Sequence, residues 1–432
     1  MVMISPLLRF PLVAVLVGLA TVGRAAGGER RSLAEAIILS AQAGGEREDL
    51  EIRRWQAQAQ TGGAKADNFE KLGWAYVAKA RRTLDVGYYK LAEKTADVMD
   101  ARFGASPEAR LLRGHVFHQL HRFAEAEALA RALVAERGLA PDYALLCDAL
   151  MEQGKLAPAV EACQRLVDLR PGVEAYSRIA HLRWLKGDVA GATAMMETAE
   201  RAASQRDPEG RAWLQVRLSG LALQSGDLPR ALALAESAIG VVGSYPPALL
   251  ARGRALLALG HAAEAAEVLS QAARLNPLPE YQWWQADALR LAGNEAAAAE
   301  AEQTLRERGG VADPRTLALF LATRNESIPK ALRWAREESA NREDSLTYDA
   351  LAWALLAAGE TGAARVASDR ALAEGVRDAR LLWHSGEIAL ASGDREAAER
   401  AFQAARPHAA TLTPSERARL DRRLEGRLAQ SP

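Results

Sequence analysis

The sequence predicts an all-α protein, a right-handed α-solenoid of about ten helix-turn-helix units with a capping helix at its C-terminal end. Two periodic signals in one phase carry that prediction. An alanine recurs at Ala92, Ala126, Ala159, Ala192, Ala231, Ala265, Ala298, Ala331, Ala364 and Ala398, and eight of the nine intervals are 33 or 34 residues. Five residues ahead of it a glycine keeps step, at Gly154, Gly187, Gly226, Gly260, Gly293, Gly359 and Gly393. Periods of this length are the mark of stacked supersecondary units that bury a continuous core only by packing on their neighbours.

Each period reads as two helices and a tight turn. The glycine ends the first helix, where a left-handed residue is needed. Asp188, Asp227, Asn294 and Asp394 follow it as caps for the second. The recurring alanine is small because two antiparallel helices cross there closely. The one long interval, Ala192 to Ala231, contains SQRDPEG, a polar Pro/Gly segment expected to form a longer connection.

The ends differ from the middle. Residues 26–65, with Leu33, Ile37, Ile38, Leu50 and Trp55, form a less regular helical lead-in to an array over 66–408. At 409–432, Thr413-Pro414-Ser415-Glu416 has the form of a capping box with proline in the first turn, and Leu420, Leu424 and Leu428 make one apolar stripe. Arg417, Arg419, Arg422, Arg423 and Arg427 cover the rest of that helix, the polar face a terminal unit should turn to water.

Residues 1–25 read as a secretory signal: Arg9 precedes an apolar stretch from Phe10 to Ala20, and Gly23-Arg24-Ala25 suits cleavage after Ala25. The stretch is short of the ~20 residues of a spanning helix, so an uncleaved anchor is the lesser alternative. The expected location is the periplasm or beyond, with no transmembrane segment after cleavage. Lys plus Arg and Asp plus Glu number 55 each, which leaves no net field to draw nucleic acid.

On its first full unit the chain resembles the tetratricopeptide repeat family, whose aromatic, Leu, Gly and Tyr spacing appears as Phe69, Leu72, Gly73 and Tyr76. The family's closing proline appears as Pro171 and Pro277. The stretch LGWAYVAKARRTLDVGYYKLAEKT, with some seven extra residues between its helices, also resembles an uncharacterised bacterial exported subgroup of such proteins. The resemblance implies a concave groove lined by the first helix of each pair. Carried over position by position, it places Trp74, His115, His118, Asp148, Glu152 and His181 on that wall in the N-terminal units. Trp184, Trp213, Arg254, Trp283, Asp287 and Arg290 follow, and Asp349, Trp353, Trp383 and Glu387 complete the row.

Six of the nine tryptophans fall in that groove. They either plug a tight superhelix or offer the large rigid contact area typical of a binding hot spot. His115, His118, Asp148 and His181 share a row, which sketches a carboxylate-imidazole metal or ligand site as an alternative function. His121 is expected to pack at a turn and His384 to be a hydrogen-bonded core residue. There is no GxSxG, phosphate loop, HExxH or paired CxxC, so no enzyme and no cofactor are expected. Cys147 and Cys163 point into one helix-helix contact, where they either form a disulfide or serve as buried thiols. The functional expectation is a scaffold or adaptor that binds a protein or peptide in its groove, with an accessory subunit of an envelope enzyme or transporter as a further reading.

Overall fold

The computed structural model describes residues 32–83 and 85–426. The expected signal and its cleavage point, together with Arg427 and Leu428, lie outside the described residues. Among the described residues the regular structure is helical throughout. Two lead-in helices, α1 (Leu33–Ile38) and α2 (Arg47–Ala59), precede ten helix pairs. The first five pairs are α3 (Ala66–Thr83) with α4 (Val86–Phe103), α5 (Pro107–Gln119) with α6 (Phe123–Glu136), α7 (Ala140–Glu152) with α8 (Leu156–Leu169), α9 (Val173–Leu185) with α10 (Val189–Ala202), and α11 (Pro208–Gln224) with α12 (Leu228–Val241). The other five are α13 (Pro246–Ala258) with α14 (Ala262–Leu275), α15 (Pro279–Leu291) with α16 (Glu295–Ala312), α17 (Pro314–Arg324) with α18 (Ile328–Ser339), α19 (Ser345–Ala357) with α20 (Thr361–Leu372), and α21 (Ala379–Ala391) with α22 (Arg395–Ala405). A 3-10 helix, Arg406–Thr411, leads into α23 (Pro414–Glu425).

The periodic residues do what their chemistry requires. All ten recurring alanines are buried, nine of them completely and Ala398 at 2% exposure, so a larger side chain there would separate the two helices of its pair. All seven phase-locked glycines have positive φ, between 66° and 88°. In the second pair His121 takes that place at φ 58° and stacks on Phe123 with ring centroids 5.5 Å apart. Asp188, Asp227, Asn294 and Asp394 each accept a hydrogen bond from a backbone N–H three residues on, at 2.8 to 3.2 Å. SQRDPEG supplies a connection, Ala203–Asp207, whose last residue caps α11.

The first pair departs from expectation. Its extra residues do not form a long loop, because only residues 84 and 85 separate α3 from α4. They extend the two helices to 18 residues each, against 13 and 14 in each of the next three pairs. The longer pair has more surface on which to seat the lead-in: Tyr76 Oη donates to the Ile38 carbonyl at 2.6 Å, and Gln56 Nε2 donates to that phenol at 3.0 Å. Lys79 and Asp49, both buried, form an ion pair at 2.9 Å on the same contact. Gly73 is small for a packing reason, since a Cβ there would stand 2.2 Å from Leu112 of the next pair.

Candidate functional site

The array winds back onto itself. The turn of the third pair carries Glu152, which pairs with Arg342 in the loop ahead of the ninth pair. The turn of the fourth carries Lys186, whose Nζ lies 2.9 Å from Glu374 in the loop ahead of the tenth. In the fifth, Gln224 Nε2 donates to the Arg377 carbonyl at 2.5 Å, while its own carbonyl meets His408 Nδ1 of the 3-10 helix at 2.8 Å. The contacts step five or six pairs along the chain, so one superhelical turn takes about six units and encloses a lumen lined by first helices.

The C-terminal half of that lumen is partly filled by the chain itself. Helix α23 packs on α22 at the end of the stack, as a cap should, and also reaches the concave wall at α15. Glu416, fully buried, receives Arg380 in a two-point ion pair at 2.7 and 2.9 Å. Burial pushes the Glu416 carboxyl up, and the Arg380 charge and hydrogen bonds pull it below the usual carboxylate value by more. Glu387 holds Arg423 at 2.7 and 2.8 Å, and Asp287 Oδ2 accepts the Ser415 N–H at 2.9 Å.

This occupancy corrects part of the expected groove. Trp283, Trp353 and Trp383 are 2%, 7% and 1% exposed, so the packing reading holds for these three rings. Trp353 stacks on His384 at 3.9 Å and donates to Thr323 Oγ1 at 3.0 Å, and Trp283 meets the edge of Phe320 at 5.5 Å. His384 is wholly buried with Nδ1 2.9 Å from Asp349, a hydrogen-bonded core residue as expected. Asp287 and Arg290 belong to an internal network: Arg324 reaches Asp287 at 2.9 Å, and Arg290 meets Glu302 at 3.1 Å. Trp353 and Trp383 keep an edge on a cleft of about 420 Å³ that Arg419, Arg422 and Arg423 of α23 also line, and the Arg290 side chain stays a third exposed.

The N-terminal half is open. Trp74 lies with its ring centroid 5.2 Å from His115, in a wall shared with a cleft of about 580 Å³ between α2 and α3 that Trp55 also lines. Trp184 stacks on His181 at 5.7 Å and donates to Gln224 Oε1 at 2.8 Å. Trp213 is 38% exposed. Burial, with smaller contributions from neighbouring cations, pushes both His115 and His181 down to about 4, so both rings are neutral at pH 7.

The expected metal row does not assemble. Asp148 is held by Arg178 in a two-point pair at 2.7 and 2.6 Å, and among the described residues no three His, Cys, Asp or Glu side chains come together as a ligand set. A guanidinium seated on the carboxylate removes the anionic ligand such a site would need. Cys147 and Cys163 are joined in a disulfide, with Cα atoms 5.4 Å apart. No helix among the described residues is long and apolar enough to cross a membrane.

Arg178, Arg217, Trp284 and Trp55 are wall residues that position-by-position carry-over passes by. Arg254 fares better than expected: its guanidinium lies over the Trp284 ring at 4.9 Å and borders a cavity of about 500 Å³. The signal that finds Arg217 is register. Gly226 and Gly260 mark a 34-residue step, which aligns Arg217 with Ala251 and Arg254 with Gly220, a large cation against a small residue in each case.

Residues 222–288 match the family model described as tetratricopeptide repeat. No curated protein is similar in sequence. Among solved structures, human IFIT1 in its dimer with PPP-AAAA is 12% identical, with 85% of this chain and 95% of that one covered and a TM-score of 0.46. A tetratricopeptide repeat protein from Parabacteroides merdae is 18% identical over 57% of this chain and 96% of that one, with a TM-score of 0.33. PilF of Pseudomonas aeruginosa is 14% identical over 46% and 90%, with a TM-score of 0.40. At such identities and scores, what those proteins bind says nothing about this chain.

Proposed function

Since the chain is a tetratricopeptide repeat protein, we propose that it is an interaction scaffold which holds a protein or peptide partner against the open, N-terminal half of its concave wall, outside the cytoplasm. Proteins built of this repeat are in general non-catalytic scaffolds, and the reading is carried by one contrast. Of the six concave tryptophans, Trp283, Trp353 and Trp383 are covered by the protein's own packing, whereas Trp74, Trp184 and Trp213 retain surface toward the lumen. An exposed indole on a rigid concave wall offers a partner large contact area at little conformational cost.

Two features support a location outside the cytoplasm: the signal-like residues 1–25 and the Cys147–Cys163 disulfide, a bond that persists in oxidising compartments. The experiment is a crosslinked pull-down from native envelope fractions with wild type and a Trp74→Ala/Trp213→Ala variant whose helical circular dichroism is unchanged. Loss of a partner from the variant alone supports the groove; equal retention moves the contact to the convex face. Mass spectrometry of the mature N-terminus tests the location, and an intact Met1 on cytoplasmic protein would overturn it.

A further inference from the structure

We propose that the cavity walled by α9, α11, α13 and α15 binds a small ligand carrying an oxyanion, carboxylate or phosphate, on a flat apolar body. The site shares Trp184 and Trp213 with the wall proposed for a partner, but it is read on purified protein without any partner, so the two readings fail separately.

The cavity measures about 500 Å³, within the range of small-molecule sites. It exists because the array completes a turn: Trp184, Trp213 and Trp284 form one side, while Leu346, Asp378 and Thr411 close it from the other end of the chain. Three arginines line it, of which Arg380 is paired with Glu416 and Arg217 and Arg254 are left to face the cavity. Arg217 lies within the enclosed lumen yet is exposed to it, and it has no hydrogen bond or ion pair among the described residues. Arg254 has a buried Nε with no partner, and its nearest carboxylate oxygen, on Glu280, is 3.9 Å away.

The carboxylates that border the cavity leave these charges uncompensated. Glu280 is half exposed and only grazes Arg254. Asp378 accepts the Arg380 and Leu381 N–H groups as the cap of α21, and burial raises its carboxyl above the usual value. Glu416 is taken by Arg380, and His181 is neutral with a buried, unpartnered Nδ1. Burial lowers the proton affinity of both Arg217 and Arg254, the Arg254 charge lowers that of Arg217 further and the Arg380 charge that of Arg254, while Glu280, with Asp378 and Glu416 at Arg254, offsets only part of this. Like charges held together without a counter-ion are unfavourable, and an oxyanion seated between them relieves the repulsion with charge-assisted hydrogen bonds. The indoles of Trp184, Trp213 and Trp284 then suit a flat apolar body.

The wall offers a way to close the site without touching its charges. Gly220 lines the cavity from mid-α11, and a Cβ there would meet no atom within 4 Å. A leucine at Gly220 fills that space and favours the helix.

The test is calorimetric titration of the purified chain with phenyl phosphate, benzoate and benzyl alcohol. The expected result is saturable binding of at least one anion, with the neutral alcohol about tenfold weaker or more, since a hydrogen bond to a charged group is worth at least that factor. Which anion binds names the oxyanion. Arg217→Gln and Arg254→Gln each weaken it by about tenfold or more on the same ground, and Gly220→Leu abolishes it while helical content is retained. No saturable binding at millimolar ligand, or equal binding in wild type and all three variants, would overturn the proposal.

Discussion

The carbonyl oxygen of Gly375 lies 2.2 Å from the point where a Cβ on Gly187 would stand. These residues are 188 positions apart, and their contact marks where one superhelical turn closes on the next. Gly187 has φ 76° and Gly293 φ 82°, yet a Cβ on Gly293 would meet nothing within 4 Å. Gly293→Ala should therefore cost only the backbone strain, about 1 kcal/mol. Gly187→Ala should cost clearly more, and should raise amide exchange in residues 374–377 as well as locally. Equal melting shifts for the two variants would mean the turns do not bear on each other in solution.

The Arg380–Glu416 pair fixes α23 in the lumen. Glu416→Gln keeps the shape but leaves Arg380 without its counter-charge. Because the Arg380 side chain is 27% exposed, the expected loss is on the order of 2 kcal/mol, below the ~3–5 kcal/mol typical of breaking a fully buried pair. The carboxyl is held below its ordinary value of 4.5. Its stabilising contribution is thus complete above that value and is lost as pH falls through the lower folded-state value. Proteolytic release of the segment after Leu412 should rise at acid pH in wild type, and already at neutral pH in the variant.

His115 and His181 extend acid sensitivity to milder pH. Both are pushed from 6.5 to about 4, so between those values the unfolded chain binds more protons than the folded one. Stability should decline as pH drops from 6.5 toward 4. Imidazole resonances of the folded protein should titrate with midpoints near 4 for these two rings; midpoints near 6.5 would show that water reaches both freely.

The Cys147–Cys163 bond closes a loop of 16 residues. The chain-entropy model gives such a crosslink about 3 kcal/mol. Reduction, or the Cys147→Ala/Cys163→Ala variant, should lower the unfolding midpoint in denaturant. Since units of a repeat array are coupled mainly to their neighbours, exchange should rise most in α7 and α8 and least in α15 and α16. An unchanged midpoint on reduction would show that the crosslink adds nothing to the third unit.

Sequence alone was enough wherever the reason for a residue is local or lies in the adjacent unit. Ala159 is small because α7 and α8 cross there, Gly154 turns because the next helix must run back, and Asp188 caps because α10 begins beside it; each repeats with the period and can be read from it. The capping box of Thr413 and Glu416 was legible for the same reason, and so was the facing of Cys147 toward Cys163.

Tertiary structure alone decided what depends on the path of the whole superhelix. The rotation per unit is small and accumulates, so no single period announces that about six of them close a turn. That closure sets Lys186 beside Glu374, folds α23 against Arg380 and Glu387, and buries Trp283, Trp353 and Trp383 while leaving Trp74 and Trp213 with surface. It also walls the cavity in which Arg217 and Arg254 stand together. Their adjacency has no sequence signature beyond two arginines aligned with Ala251 and Gly220, because charges interact through space while a repeat pattern records only packing between neighbours along the chain.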